Sequence, residues 1–118
     1  MRSDLPHIDW QLWEALILDR GIVVDRPRGS SHPRYPTMVY PLDYGYIPNT
    51  VGGDGAEVDV FAGSVPTGLR AVVITHDKLK DDTEIKLLWN VDRHEIEEVR
   101  RFLSDGAMTA TTLWRDQQ

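Results

Sequence analysis

The chain contains no cysteine. Disulfides, thiolate metal sites and cysteine nucleophiles are therefore excluded. No apolar run comes near the ~20 residues needed to span a bilayer, so no membrane partner is expected. The opening stretch MRSDLPHIDWQ carries acidic residues and no uninterrupted apolar segment, unlike a secretory leader, which points to the cytoplasm. A basic surplus is also missing. Thirteen Lys and Arg face 19 Asp and Glu, for a net charge of −6. This balance argues against nucleic-acid binding through a broad basic surface. An acidic surplus serves solubility, and it also fits a site that collects divalent cations.

What is present is ordinary globular material. The 118 residues are 41% hydrophobic and 27% charged. That length predicts one domain, 1–118, because a second core would leave each half too small to be stable alone. No segment repeats at a fixed period, and no linker divides the chain.

Residues 9–19 place Trp10, Trp13, Leu16 and Ile17 at helical spacing, with Asp9 as N-cap and Gly21 as stop. Residues 22–25 read as a short strand. Three prolines interrupt 26–36, which rules out a regular helix or central strand there. Residues 37–40 read as a strand and 41–53 as turn-rich. In 57–62, Val58, Val60 and Ala62 take one face, while Glu57, Asp59 and Phe61 take the other. Residues 69–75 form a buried strand and 76–83 a charged loop. In 84–89, Ile85, Leu87 and Trp89 oppose Glu84, Lys86 and Leu88. Residues 92–104 predict a helix whose Asp92 and Glu95 form a capping box. Residues 107–113 complete the set as a last strand. Several short strands with few helices predict a small barrel or sandwich. If the polar faces of 57–62 and 84–89 converge, they build an acidic pocket on a β core.

The strongest chemical signal is the run Gly52-Gly-Asp-Gly-Ala-Glu-Val-Asp59, which packs Asp54, Glu57 and Asp59 among glycines. Oxygen-only carboxylate sites suit hard cations such as Mg²⁺, which takes few protein ligands and keeps waters for a phosphate substrate. Asp77, Asp81, Asp82 and Glu84 form a second acidic group, and two such groups can hold two metals around a phosphate. A Gly-Asp turn leading into a solvent-facing strand would account for the same composition. Arg26, Arg28, His32 and Arg34 lie in the proline-held loop, where arginine forks suit phosphate oxygens. A solvated loop that offsets acidic neighbours is the plainer alternative. His7, His76 and His94 show no ligand spacing. The four tryptophans read as core or interface residues.

Tyr40-Pro-Leu-Asp-Tyr-Gly-Tyr-Ile-Pro-Asn-Thr50, followed by Asp54-Gly-Ala-Glu-Val-Asp-Val60, closely resembles the core motif of the soluble family I inorganic pyrophosphatases. Weaker similarity runs from about residue 22 to 102. The resemblance implies a mainly β (α+β) fold, a small five-stranded OB-like barrel with flanking helices. It also implies Mg²⁺-dependent hydrolysis of pyrophosphate to two phosphates. On this footing Asp54 and Asp59 match metal-motif aspartates, with Asp59 beside the attacking water. Asp25 stands where the family has a Glu near the metals. Arg34 stands at a phosphate-binding Lys, and Tyr44 at a substrate-side Tyr. Asp77 matches the first aspartate of a later acidic loop. Glu84 and Lys86 resemble its Asp-x-Lys ending, with Asp82 a rival for Glu84.

The chain also departs from the family pattern. Ala56 replaces the middle aspartate and Glu57 the usual proline, so Glu57 is the candidate substitute ligand. A β-hairpin that carries a phosphate-binding Arg is absent, leaving Arg26 or Arg28 to replace it. The C-terminal Tyr-Lys phosphate pair has no counterpart after Phe102. The resemblance leaves open a non-catalytic phosphate- or nucleotide-binding module, and a hydrolase of another phosphoanhydride or phosphoester. A homo-oligomer is also open, because family members commonly assemble and the tryptophans hint at a partner surface.

Overall fold

A computed structural model describes residues 7–52 and 55–117. Helix α1, Trp10–Arg20, starts where Asp9 accepts a hydrogen bond from the Leu12 amide at 3.2 Å. It stops at Gly21, whose φ of +75° suits a residue without Cβ and whose amide donates to the Ile17 carbonyl. Helix α2, Arg93–Leu103, opens on the expected capping box. The Asp92 side chain accepts from the Glu95 amide at 2.8 Å, and the Glu95 side chain accepts from the Asp92 amide at 3.0 Å.

Six strands form one sheet: β1 Val23–Arg26, β2 Asp43–Ile47, β3 Val58–Ala62, β4 Leu69–Asp77, β5 Asp82–Trp89 and β6 Met108–Trp114. Their spatial order is β1-β2-β3-β5-β4-β6. All pairs are antiparallel except β3 with β5, which run parallel because the β4–β5 hairpin folds back beside β3. The mainly β, OB-like class holds, with six strands where five were anticipated. Among the described residues β1 and β6 are the free edges of an open sheet.

Three sequence expectations fail locally. Residues 37–40 are not a strand; Val39 makes only an isolated bridge to Ser31. The segment read as turn-rich instead contains β2. Tyr44, Tyr46 and Ile47 favour extended backbone, and the flanking Pro41 and Pro48 lie just outside the strand rather than within it. Gly45 is required in β2, because a Cβ there would collide with the Val23 carbonyl of β1, next to that strand's register shift. The loop expected over 76–83 is also shorter, since pairing continues to Asp77↔Asp82.

The strand alternation read from the sequence sorts the core. On the face toward α1, Val60, Leu87, Val72, Ile47 and Leu113 pack with Ile8, Trp10 and Ile17. On the face toward α2, Phe61, Leu88, Val73, Ile96 and Val99 pack with Tyr40 and Leu42. Each such side chain contributes ~1.5–3 kcal/mol by leaving water. Trp10 is buried, and Trp13, Trp89 and Trp114 are half-buried against these two clusters. The tryptophans therefore pack against the core.

Candidate functional site

The pairing of β3 with β5 sets the site. Val60 faces Leu87 and Phe61 faces Leu88, so Asp59 and Lys86 arrive side by side on the α2-facing side of the sheet. The Lys86 ammonium lies 2.5 Å from Asp59 Oδ2 and 3.7 Å from Glu84 Oε2. Lys86 is only 8% exposed. A cation held there needs its carboxylate partners, because desolvation would otherwise outweigh its hydration. Lys86 Nζ also sits 5.9 Å from the centre of the Tyr44 ring. Burial first, and then the charge of Asp59 to which its hydroxyl is hydrogen-bonded, push Tyr44 well above the ordinary tyrosine range. Tyr44 is thus a neutral hydrogen-bond donor at physiological pH.

Three depressions meet at this pair. One of about 270 Å³ is lined by Asp25, Arg26, Tyr44, Tyr46, Glu57 and Asp59. A second, about 260 Å³, brings together Glu57, Asp59 and Glu84 above Trp13 and Leu87. The third, about 560 Å³, has Asp77, Glu84 and Lys86 on its polar side. Asp59 and Lys86 form the wall between the first and the third. Arg26 enters the first from β1. Its guanidinium donates to the Tyr40 hydroxyl, which raises its already high pKa and anchors the fork beside the pocket.

The predicted residues are therefore distributed unevenly. Tyr44, Asp59, Glu84 and Lys86 come together, with Glu57, Asp25 and Arg26 sharing a pocket with Asp59. Asp77 lies across Lys86 in the largest depression, and its Oδ1 accepts from the amides of Leu79 and Lys80 in the hairpin turn. Glu84, rather than Asp82, lines the depressions; Asp82 sits exposed at the hairpin end. Arg28 and Arg34 are exposed and line none of these three depressions. Arg28 contributes its amide to Asp43, and the Arg34 amide donates to His32 Nδ1, so that part of the loop is organised by main-chain contacts. Asp54 lies outside the described residues.

Sequence reasoning passed over Tyr40 and Tyr46. Tyr46 pairs directly with Asp59 across β2–β3, and Tyr40 stacks on Tyr44 with ring centres 5.4 Å apart. The spacing Tyr44-x-Tyr46 carried that information once β2 was recognised as a strand, because alternate strand residues share a face.

Among the described residues no three His, Cys, Asp or Glu side chains converge as a metal cluster. The donor chemistry nonetheless fits one hard cation. Asp59 and Glu57 offer carboxylate oxygens to one pocket, and Mg²⁺ is typically held by one or two carboxylates with waters completing its shell. Asp77 lines a different depression, together with Glu84 and Lys86.

The family model described as inorganic pyrophosphatase matches residues 21–79, half of the chain. A comparison with curated proteins finds no match. Among solved structures, an inorganic pyrophosphatase from Neisseria gonorrhoeae is similar at 20% identity and a TM-score of 0.58, over 85% of this chain and 86% of that one. Inorganic pyrophosphatase from Helicobacter pylori aligns at 16% identity and a TM-score of 0.59, covering 81% and 84%. That from Thermus thermophilus aligns at 18% identity and a TM-score of 0.59, covering 81% and 82%. These likenesses define the class of fold. The chain belongs to the inorganic pyrophosphatase family.

Proposed function

We propose that this protein is a single-domain hydrolase that cleaves inorganic pyrophosphate to two phosphates in the presence of Mg²⁺. The observation that carries the reading is the joining of Asp59 and Tyr44, both inside the segment that places the chain in its family, with Lys86 from β5 beyond it. Asp59 and Glu57, with the neighbouring Asp54, would hold the cation. When bound, Mg²⁺ supplies charge neutralisation for the anhydride oxygens and acidifies water. Lys86 and Arg26 offset phosphate charge from two sides of the Asp59 pocket. Tyr44, kept neutral, donates a hydrogen bond and holds Asp59 in orientation. Because these donors are fixed by packing before substrate arrives, they stabilise developing charge without reorganising. Arg28 and Arg34 are left out of this assignment because their side chains do not line the pocket.

The test is steady-state phosphate release from pyrophosphate with and without Mg²⁺, for the parent and for Asp59→Ala. Metal-dependent release lost in Asp59→Ala is expected; an unchanged rate in the variant would overturn the assignment. One observation favours a second reading, a phosphate-binding module without turnover. Lys86 already occupies Asp59, and Ala56 stands where the resemblance expects a further aspartate. Phosphate bound without sustained release would select that reading. A cytoplasmic setting and assembly into a homo-oligomer complete the proposal. The support for assembly is the family resemblance, and a light-scattering mass in solution checks it.

A further inference from the structure

Tyr40 takes no part in the chemistry assigned to Asp59, Lys86 and Tyr44, yet it is only 5% exposed and tightly held. Tyr44 stacks on its ring at 5.4 Å between centres, His32 stacks at 6.4 Å, and Phe102 lies tilted at 4.9 Å. Its main chain is fixed as well. The Tyr40 amide donates to the Ser30 carbonyl and the Tyr40 carbonyl accepts from the Gly29 amide, both at 2.9 Å. A ring packed this closely keeps its hydroxyl at one point. That hydroxyl accepts from Arg26 Nη1, and the Arg26 guanidinium carbon lies 5.5 Å from the centre of the same ring. Arg26 reaches this place through a register shift in β1. The shift between Val24 and Arg26 puts Arg26, in place of Asp25, opposite Tyr44, and so turns its side chain to the face that carries Asp59. Among the described residues Arg26 makes no ion pair. Its partner is a neutral oxygen, so its charge is left for an anion in the depression it shares with Glu57 and Asp59.

We infer that Tyr40 is a positioning residue: its hydroxyl fixes the Arg26 fork in the orientation that receives one phosphate group of the diphosphate. The inference rests on the pyrophosphatase reading and deepens it. One nitrogen of the fork stays on Tyr40, and the remaining N–H donors reach phosphate oxygens. An arginine free to turn loses its rotamers when it meets a ligand; one already held by a buried ring does not. Tyr40 itself touches no substrate atom. Arg26 meets the diphosphate before and during the reaction alike, so Tyr40 governs affinity more than the chemical step.

The experiment uses the full chain in Mg²⁺, with methylenediphosphonate as a probe that resists hydrolysis. Tyr40→Phe keeps the ring and its stacking and removes only the hydroxyl. By titration calorimetry it should bind the probe about five- to tenfold more weakly than the parent. With pyrophosphate, KM should rise by a similar factor while kcat moves by less than about twofold. Arg26→Ala should weaken binding further, and adding Tyr40→Phe to it should then have no effect. A ring that served packing alone would weaken binding equally in both backgrounds, and that result overturns the inference. Parent-like affinity in Tyr40→Phe overturns it too. Circular dichroism checks folding. If Tyr40→Phe does not fold, Arg26→Lys carries the test: it keeps the charge but cannot hold Tyr40 and a phosphate together, so parent-like affinity there is equally fatal. Suppose the parent binds the probe and hydrolyses pyrophosphate, and Tyr40→Phe changes neither affinity nor KM. The positioning role then falls and the pyrophosphatase reading stands. If the probe binds with the expected dependence on Tyr40 and Arg26 but no phosphate is released, the positioning role stands and the hydrolase reading falls. If the parent neither binds the probe nor releases phosphate, both fall.

Discussion

The two faces of β3 and β5 carry opposite chemistry within the same few residues. Toward α1 the strands send Val58, Val60, Ile85 and Leu87, all apolar. Toward α2 they send Asp59, Glu84 and Lys86, and then Phe61 and Leu88 where the α2-side core closes over the sheet. Polar side chains on that second face are thus confined to the stretch the aromatic cluster leaves uncovered. The sheet supplies rigid positions on both sides, and the difference is what each side must exclude. One face is given to apolar packing, with Val60 and Leu87 buried and Val58 and Ile85 half-buried at its edge. The other admits a charged guest and holds its own charges in a fixed pair.

The sharpest way to break the comparison is Asp59→Ala. Phosphate release is expected to fall by about 10²–10³, the scale of removing one preorganised group. The same change leaves the Lys86 ammonium facing the more distant Glu84 carboxylate, 3.7 Å away, so urea unfolding should register a loss of about 1–3 kcal/mol. The counterpart on the apolar face is Ile47→Ala. Ile47 is fully buried among Val60, Leu87 and Val72, so its truncation should cost ~2–5 kcal/mol in urea while kcat stays unchanged. A shared loss of kcat in both variants would erase the distinction between the faces.

A smaller effect sharpens it. The double variant Asp59→Leu with Lys86→Met replaces the ion pair by apolar groups of similar size. Buried pairs are often exchanged this way at little cost, so the double variant should unfold within ~1 kcal/mol of the parent and release no phosphate. Stability that stays as low as in Asp59→Ala would mean that the pair itself holds β3 to β5.

Much of this arrangement was legible in the residues. The alternation in 57–62 and 84–89 assigned faces correctly because a period of two leaves no choice once a strand is recognised. Asp92 with Glu95 and Asp9 with Gly21 marked both helices, since caps are local chemistry. β2 was missed because Pro41, Gly45 and Pro48 resemble turn residues. What makes Gly45 a strand residue is the close passage of β1, a contact far away in sequence. The same limit applies to the site. The motif singled out Asp59, Tyr44 and Lys86, but no spacing rule says that Asp59 and Asp77 would line different depressions. That follows from β5 lying between β3 and β4. Likewise Phe102, Leu103 and Met38 gather around one groove only after α2 and the loop before β2 have packed.

The faintest test contrasts the enclosed pair with one in water. On the outer side of α2, Glu97 and Arg100 make a two-pronged contact, with Arg100 Nε 2.9 Å and Nη2 2.6 Å from the carboxylate oxygens. The hydrogen bond from Arg100 holds the Glu97 carboxyl below its ordinary value of 4.5. A carboxyl depressed in the folded state adds stability above its unfolded pKa and loses it as pH falls through the folded one. Glu97→Gln should therefore show its small deficit at neutral pH and flatten the acid limb below about 4.5, where the two stability–pH curves converge. Raising salt should shrink the parent's slope in that window, because the pair is exposed, and leave the Asp59–Lys86 contribution largely intact. Equal salt sensitivity of the two pairs would show that water reaches Lys86 as freely as Arg100, and the enclosed character of the Asp59 wall would have to be given up.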